Sequence, residues 1–67
     1  MKGFTPTQKE LEVVKAFADN LTRPQVAKTL LINERTVDGR IYRLRRKLGL
    51  KSLAAVCVHF YRQKWID

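Results

Sequence analysis

The chain has 67 residues, so it is expected to form one domain that buries only about 60% of its unfolded surface and that a partner or a second subunit would stabilise. One cysteine, one histidine and apolar runs of at most six residues exclude an intrachain disulfide, a structural zinc site and a membrane span. The net charge is +8, and it is uneven: residues 1–20 carry three basic and three acidic side chains, whereas residues 34–51 carry seven and two, which indicates a local anion-binding patch.

The first predicted helix begins at one of two overlapping capping signals. Thr5-Pro6-Thr7-Gln8 and Thr7-Gln8-Lys9-Glu10 both place a threonine three residues before a side chain that can return to its backbone amide. The helix is expected to span about residues 6–19, because proline is tolerated at a first helical position and Asn20 accepts the left-handed geometry of a helix stop. Glu12 is expected to pair with an arginine at the edge of the core. The predicted buried face comprises Leu11, Val14, Phe17 and Ala18.

A short second helix and a long third helix follow with almost no linker. Thr22 caps the second helix, which carries Pro24 in its first turn. Asn33 caps the third helix only two or three residues after the second helix ends. Such a short link forces the two helices to cross steeply, as in a helix-turn-helix. The third helix is expected to span about residues 33–48, and Gly49 ends it.

The third helix separates an apolar stripe from a basic strip. Apolar side chains recur at i, i+4, i+7 and i+11, within about 60° of one another: Val37, Ile41, Leu44 and Leu48. The opposite side carries Arg35, Gly39, Tyr42, Arg43 and Arg46. Guanidinium groups beside an aromatic ring and a residue without a side chain suit phosphate oxygens and base edges, so this side is predicted to bind nucleic acid.

The positions around the helix predict different contacts for different residues. Base edges are expected to meet Arg35, Gly39 and Tyr42, and phosphates are expected to meet Arg40, Arg43, Arg46 and Lys47. Thr22 and Arg23 are predicted phosphate anchors, because free amides and the helix dipole gather at the start of the second helix. Thr36 and Asp38 complete the set of predicted DNA contacts.

The fourth predicted helix starts after Ser52 and extends from about Leu53 to Trp65. Its apolar surface spans about 200°, where about 100° serves a single core. One stripe is expected to pack on the first helix: Leu53, Val56, Cys57 and Phe60. The second stripe is surplus and is predicted to form a homodimer interface: Ala54, Val58, Tyr61 and Trp65.

Motifs along nearly the whole chain resemble one family. The sequence reads Thr7-x-x-Glu10-x-Glu12-Val13, then Leu21-Thr22-x-x-x-Val26-Ala27-x-x-Leu30, then Ile32-Asn33-Glu34-x-Thr36-Val37 leading to Lys47-Leu48-Gly49-Leu50. This combination resembles the LuxR/GerE-type DNA-binding domain of bacterial transcription regulators. The resemblance implies a single all-α helix-turn-helix domain of four helices over residues 1–67. It also implies that the third helix enters the major groove of double-stranded DNA and that the fourth helix pairs two subunits.

The middle of the third helix departs from the family pattern. Asp38 stands where the family most often has lysine or arginine, so its carboxylate is expected to accept from a cytosine amino group, or to orient Arg35 or Tyr42. This chain is therefore expected to prefer different bases from the commoner members of the family. Gly39 costs the helix about 1 kcal/mol relative to alanine, and close approach of the backbone to DNA is the preferred reason for it. Arg40 replaces a frequent histidine.

The sequence favours one function, sequence-specific binding of double-stranded DNA as a homodimer to regulate transcription, and leaves two alternatives open. In the favoured function the chain is a stand-alone transcription regulator of the bacterial cytoplasm, associated with the nucleoid, because it starts at a methionine and carries no receiver or ligand-binding domain. RNA polymerase or another regulator is a candidate partner, and no cofactor is expected. The first alternative is a decoy or anti-activator that pairs with a larger regulator, and the second is a promoter-recognition module like the last region of a sigma factor. No enzyme is expected, since no nucleophile, base and orienting group can be assembled.

Overall fold

The computed structural model describes residues 3–67 of the chain. This part contains four α-helices and no β-strand. Met1 and Lys2, which belong to the predicted domain 1–67, lie outside the described residues. The helices are α1 (Gln8–Ala18), α2 (Arg23–Leu30), α3 (Glu34–Leu48) and α4 (Leu53–Arg62). The prediction of an all-α chain with four helices is therefore confirmed. Within residues 3–67, no helix is long and apolar enough to cross a membrane.

Helix α1 starts two residues later than predicted, because the second of the two candidate capping boxes forms. Thr7 Oγ1 accepts a hydrogen bond from the Glu10 amide at 3.2 Å, and Glu10 Oε1 accepts from the Thr7 amide at 2.9 Å. Both bonds satisfy amides that the first turn leaves unpaired, so Pro6 precedes the helix instead of opening it. At the other end Asp19 is the C-cap, and Asn20 adopts the expected left-handed conformation with φ 68°.

The start signals of α2, α3 and α4 and the end signal of α3 are confirmed. Thr22 and Gln25 form a second capping box at α2. Asn33 Oδ1 accepts from the third residue of α3 at 2.8 Å, and Ser52 Oγ does the same for α4 at 3.1 Å. Gly49 ends α3 with φ 67°, a left-handed conformation that costs glycine little. These signals act within one turn of the chain, which is why sequence alone located them.

The turn between α2 and α3 depends on a residue other than glycine. Leu31 is the C-cap of α2 and has φ 60° and ψ 41°. The next amide, that of Ile32, donates to the Ala27 carbonyl at 3.0 Å and closes the end of the helix. Asn33 then caps α3, so the chain changes direction within three residues. This is the helix-turn-helix that the spacing of capping signals predicted.

Two hydrophobic clusters hold the helices together, and α3 contributes to both. The first joins α1, α2 and α3 and contains Val13, Ala16, Val26, Ala27 and Val37. The second joins α1, α3, α4 and the C-terminal segment and contains Val14, Leu44, Val56, Phe60 and Ile66. Since Val37 and Leu44 are both fully buried, the rotation of α3 about its own axis is set by packing. Its basic strip consequently faces away from the core.

The buried face of α1 differs from the predicted one. Val14 is buried, and Leu11 and Phe17 are half-buried, but the prediction for Ala18 is wrong because its side chain is exposed. Residues 13 and 16 are buried instead. Helix α1 packs against α2 and α3 on one side and against α3 and α4 on the other, so its apolar face is wider and rotated relative to a single stripe.

Helix α4 ends at Arg62, so the prediction that it continues to Trp65 is wrong. Lys64 adopts a left-handed conformation with φ 62°, and the Trp65 amide donates to the Phe60 carbonyl at 3.0 Å. The chain thereby turns back, and the indole packs edge-on against Phe60 and Phe4 at centroid distances of 5.1 and 5.8 Å. Trp65 packs against the second hydrophobic cluster and does not extend the outer stripe of α4.

Candidate nucleic-acid interface

The outer side of α3 presents a row of guanidinium groups. Arg35, Arg43 and Arg46 are exposed, and Arg40 is half-buried. No carboxylate in residues 3–67 forms an ion pair with any of these four arginines. Because Val37 and Leu44 are fully buried on the opposite side and fix the helix in place, these charges have a defined position on the surface. They form a patch suited to an anionic partner.

Tyr42 and Arg46 form a pair on this surface. The Arg46 Nη1 donates to the Tyr42 hydroxyl at 3.1 Å, and its Cζ lies 5.7 Å from the centre of the ring. Tyr42 is exposed, as predicted. Its hydroxyl accepts from Arg46 and retains a hydrogen to donate, so the pair presents an oriented donor beside a fixed positive charge.

Gly39 leaves a gap in the middle of the strip. A Cβ atom at this position would have no other heavy atom of the described residues within 4 Å, apart from the local helix backbone. Neither packing inside the domain nor a left-handed backbone therefore calls for glycine here. The free space lies on the side of α3 opposite the core, where it allows a ligand to come close to the helix backbone.

Arg23 holds both acidic side chains of α3. Its Nε lies 3.3 Å from Glu34 Oε1, and its Nη1 lies 3.3 Å from both carboxylate oxygens of Asp38. The first residue of α2 thus reaches the first two turns of α3. Asp38 pairs with Arg23, so the expectation that it orients Arg35 or Tyr42 is wrong. The predicted phosphate anchor Arg23 is already engaged by two carboxylates of its own chain.

Thr22 and Thr36 each have a role in helix capping. Thr22 Oγ1 accepts from the Gln25 amide at 3.4 Å, and its hydroxyl hydrogen stays free to be donated. The hydroxyl of Thr36 donates to Asn33 Oδ1 at 2.9 Å. Both threonines lie at helix starts beside the basic strip, where amides and helix dipoles add positive potential.

Lys47 lies at the edge of the strip that faces α1. Its Nζ is 3.2 Å from Glu10 Oε2 and 5.7 Å from the centre of the Phe4 ring. Glu10 is the one buried charged residue in the described part of the chain. The ion pair expected at Glu12 is wrong: that side chain is exposed and accepts from Gln8. The capping box could have identified Glu10 as the engaged carboxylate, because in this motif the side chain of the third helical residue turns back towards the amide of the N-cap residue.

Arg45 is not among the residues predicted to contact DNA, but it lies on a flank of α3 beside them. Its Nη2 donates to the Lys51 carbonyl at 2.6 Å, and its Nε is buried without a hydrogen-bond partner in residues 3–67. Together with Arg23, Asp38 and Tyr42 it lines an open cleft of about 440 Å³ beside α3. At 100° per residue Arg45 falls on the same flank of α3 as Asp38, which is the signal that could have found it.

The outer face of α4 is apolar and uncovered. Ala54, Val58 and Tyr61 lie on it at i, i+4 and i+7, and all three are exposed. The other stripe of α4 is buried through Val56 and Phe60, as predicted. An apolar face of this kind is typical of a helix that contacts another protein surface.

Within residues 3–67, no group of three or more histidine, cysteine, aspartate or glutamate side chains is placed to hold a metal ion. Cys57 is half-buried, and desolvation raises the pKa of its thiol. The His59 ring packs edge-on against Trp65 at a centroid distance of 5.7 Å. Both residues lie on α4, and His59 packs against Trp65 of the segment that follows the helix.

Comparison with known proteins agrees with this geometry. The family described as bacterial regulatory proteins of the luxR family, GerE, matches residues 6–60, which include α1, α2, α3 and all but the last two residues of α4. The chain is 38% identical over 58 residues to the nitrate/nitrite response regulator protein NarP of Escherichia coli (strain K12). It is 39% identical over 57 residues to a nitrate/nitrite response regulator protein homolog of Haemophilus influenzae.

The two relatives are much longer than this chain. The matched segments cover 87% and 85% of the chain, but only 27% of each relative. The similarity therefore concerns the four-helix unit and about a quarter of the length of each relative.

Proposed function

Because the chain belongs to the luxR family of bacterial regulatory proteins, whose helix-turn-helix binds DNA, we propose that it recognises a specific double-stranded DNA site as a homodimer and thereby regulates transcription. Such a regulator acts on the nucleoid of the bacterial cytoplasm. The observation that carries the proposal is the unpaired row of arginines on the side of α3 that the core leaves outside. A helix fits the major groove, and this strip brings both phosphate-binding and base-reading groups into it.

The contacts divide according to position on α3. Arg35, Gly39 and Tyr42 face base edges, with Gly39 letting the backbone approach the DNA. Phosphates are bound by the arginines at positions 40, 43 and 46, and Thr22 adds a hydroxyl and a helix N-terminus. Thr36 and Lys47 contribute at the two ends of the strip, where Asn33 and Glu10 hold them.

Salt dependence tests the phosphate contacts. A duplex selected from a random pool is titrated with the chain by fluorescence anisotropy at several salt concentrations. If each subunit neutralises three or four phosphates, log K against log salt has a slope near −6 for a dimer, from about −0.9 per phosphate. Arg43→Ala and Arg46→Ala should each flatten the slope by up to about 2, since both subunits change. Lys15→Ala, an exposed change in α1, is the matched control and should leave the slope unaltered.

The results that contradict the proposal are equally specific. Slopes that stay the same in both arginine variants would show that these side chains do not meet the backbone of the DNA. Binding of all duplexes alike by the unmodified chain would contradict sequence recognition. It would favour the decoy alternative, in which the apolar face of α4 pairs with a larger regulator.

The homodimer is proposed to form through the α4 face of Ala54, Val58 and Tyr61. A two-fold pair would present two copies of α3 to successive turns of the major groove, about 34 Å apart. Val58→Glu places a charge in this face and should give a folded monomer that binds a half-site weakly, with Gln63→Glu as the exposed control outside it. Sedimentation velocity measures the mass with and without DNA. A monomer under both conditions in the unmodified chain would refute the dimer.

A further inference from the structure

The network of Arg23, Glu34 and Asp38 is too exposed to exist for stability alone. Its side chains are 53%, 48% and 55% exposed. Ion pairs of this kind on a surface contribute little to folding. Its effect lies in the orientation that a planar guanidinium imposes on the two carboxylates it touches.

The network fixes the position of Asp38 next to the base-reading face. Glu34 Oε1 accepts from Nε of Arg23 at 3.3 Å, which restrains one edge of the guanidinium. Nη1 then contacts both oxygens of Asp38 at 3.3 Å, so the carboxylate has a defined direction. Each carboxylate oxygen has a second lone pair, and these acceptors stay available.

An unpaired carboxylate in this place would be repelled by the phosphates of DNA. The charge of Arg23 compensates for that repulsion while leaving Asp38 able to accept a hydrogen bond. In the major groove, carboxylates accept from the N4 amino group of cytosine. Arg23 itself has two of its nitrogens committed to its own chain, which leaves it poorly placed to follow a phosphate.

We propose that Arg23 is a positioning residue for sequence recognition: it orients the Asp38 carboxylate to read the amino group of a cytosine and does not anchor a phosphate. This inference rests on the proposed DNA binding through α3. It distinguishes Arg23 from Arg40, Arg43 and Arg46, which form no ion pair in the described residues and whose proposed role is to bind phosphates regardless of sequence.

The test combines selection from a random duplex pool with salt titration on the selected site and on its single-base variants. Asp38→Asn should shift the preference at one base pair of each half-site from cytosine to adenine, since asparagine pairs with adenine. Arg23→Gln should reduce discrimination at that same base pair by about 5- to 150-fold and leave the salt slope unchanged. Arg23→Lys, which keeps the charge but not the fork, should retain part of the discrimination.

Two further variants complete the design. Arg23→Gln combined with Asp38→Ala should show the same base preference as Asp38→Ala alone, because Arg23 acts through that carboxylate. Arg43→Gln is the matched control: it should weaken all duplexes alike and flatten the slope by about 0.9 per subunit. Far-UV circular dichroism verifies that each variant keeps its helices.

Each outcome decides between the two roles. A flatter salt slope in Arg23→Gln with an unaltered base preference makes Arg23 a phosphate anchor and overturns the inference while leaving the proposed function intact. A preference that does not change at any position in Asp38→Asn overturns it as well. Absence of sequence preference in the unmodified chain instead overturns the proposed function itself.

Discussion

Replacing Glu10 measures how strongly α1 is tied to α3. Its carboxylate accepts from the Thr7 amide at 2.9 Å and from Lys47 Nζ at 3.2 Å, and it is 11% exposed whereas the lysine is 52% exposed. Glu10→Gln keeps an acceptor for the amide but removes the charge. We expect it to lower the free energy of unfolding by about 1 kcal/mol, roughly half from the partly exposed ion pair and half from the helix dipole.

Glu10→Ala also removes the acceptor and leaves the partly buried Thr7 amide unpaired. This adds about 1 kcal/mol, for a total near 2 kcal/mol. Urea denaturation followed by circular dichroism gives the free energies, and in a domain of this size each 1 kcal/mol shifts Tm by about 4–8 °C. In a Lys47→Met background the cost of Glu10→Gln should fall by about 0.5 kcal/mol, which isolates the ion pair.

Glu12 is the matched control, because it is exposed on the same helix. Glu12→Gln and Glu12→Ala should stay within about 0.5 kcal/mol of the unmodified chain. If Glu10→Ala were no more destabilising than Glu12→Ala, the capping box and the link to Lys47 would contribute nothing. That result would refute a stabilising role for Glu10.

Three further predictions concern single positions. Leu31→Gly should raise the free energy of unfolding, measured in urea, by about 0.5–1 kcal/mol, because a 91% exposed leucine at φ 60° is strained. Asn20→Gly should raise it less, since asparagine tolerates the left-handed conformation. Equal gains at the two positions would contradict the strain at Leu31. Gly39→Ala should stabilise α3 by about 1 kcal/mol in thermal denaturation, because the added Cβ contacts nothing in the described residues. The same change should weaken binding to the selected duplex. Unchanged affinity would show that the DNA does not approach the helix backbone at this position. Burial raises the pKa of the Cys57 thiol, so less thiolate is present near pH 7. Alkylation by iodoacetamide should therefore be slower in the folded chain than in urea, and the difference between the two rates should shrink at alkaline pH. Equal rates near pH 7 would show that the thiol is not desolvated.

Local signals in the sequence identified most of the helix boundaries. The caps at Thr22, Asn33, Ser52 and Gly49 involve partners within a few residues, and the side chain that forms each cap is visible in the chain itself. The 3.6-residue repeat located the buried stripe of α3, and hence the exposed arginines on its other side. Architecture and the general position of the basic surface followed from these signals.

Local signals did not decide between overlapping alternatives. Both capping boxes at α1 satisfied the same pattern, and only the structure shows that Thr7 is used. The apolar pattern of α4 continued to Trp65, but the chain turns at Lys64 so that the indole can join Phe4 and Phe60. The pattern of apolar and polar residues indicates which side chains prefer burial. It does not indicate where the chain has to bend to bury them.

The four helices, the helix-turn-helix and the basic strip were predictable from the sequence, because each depends on capping signals and a residue periodicity that are local in the chain. Which charges remain free of ion pairs depends instead on how the helices pack. Arg23 and Asp38 are 15 residues apart, and Lys47 and Glu10 are 37 apart. Their contacts arise where packing of the two hydrophobic clusters brings different helices together. Periodicity within one helix carries no information about a partner on another, so the pairs that distinguish Arg23 and Lys47 from the unpaired arginines of α3 emerge only from the folded chain.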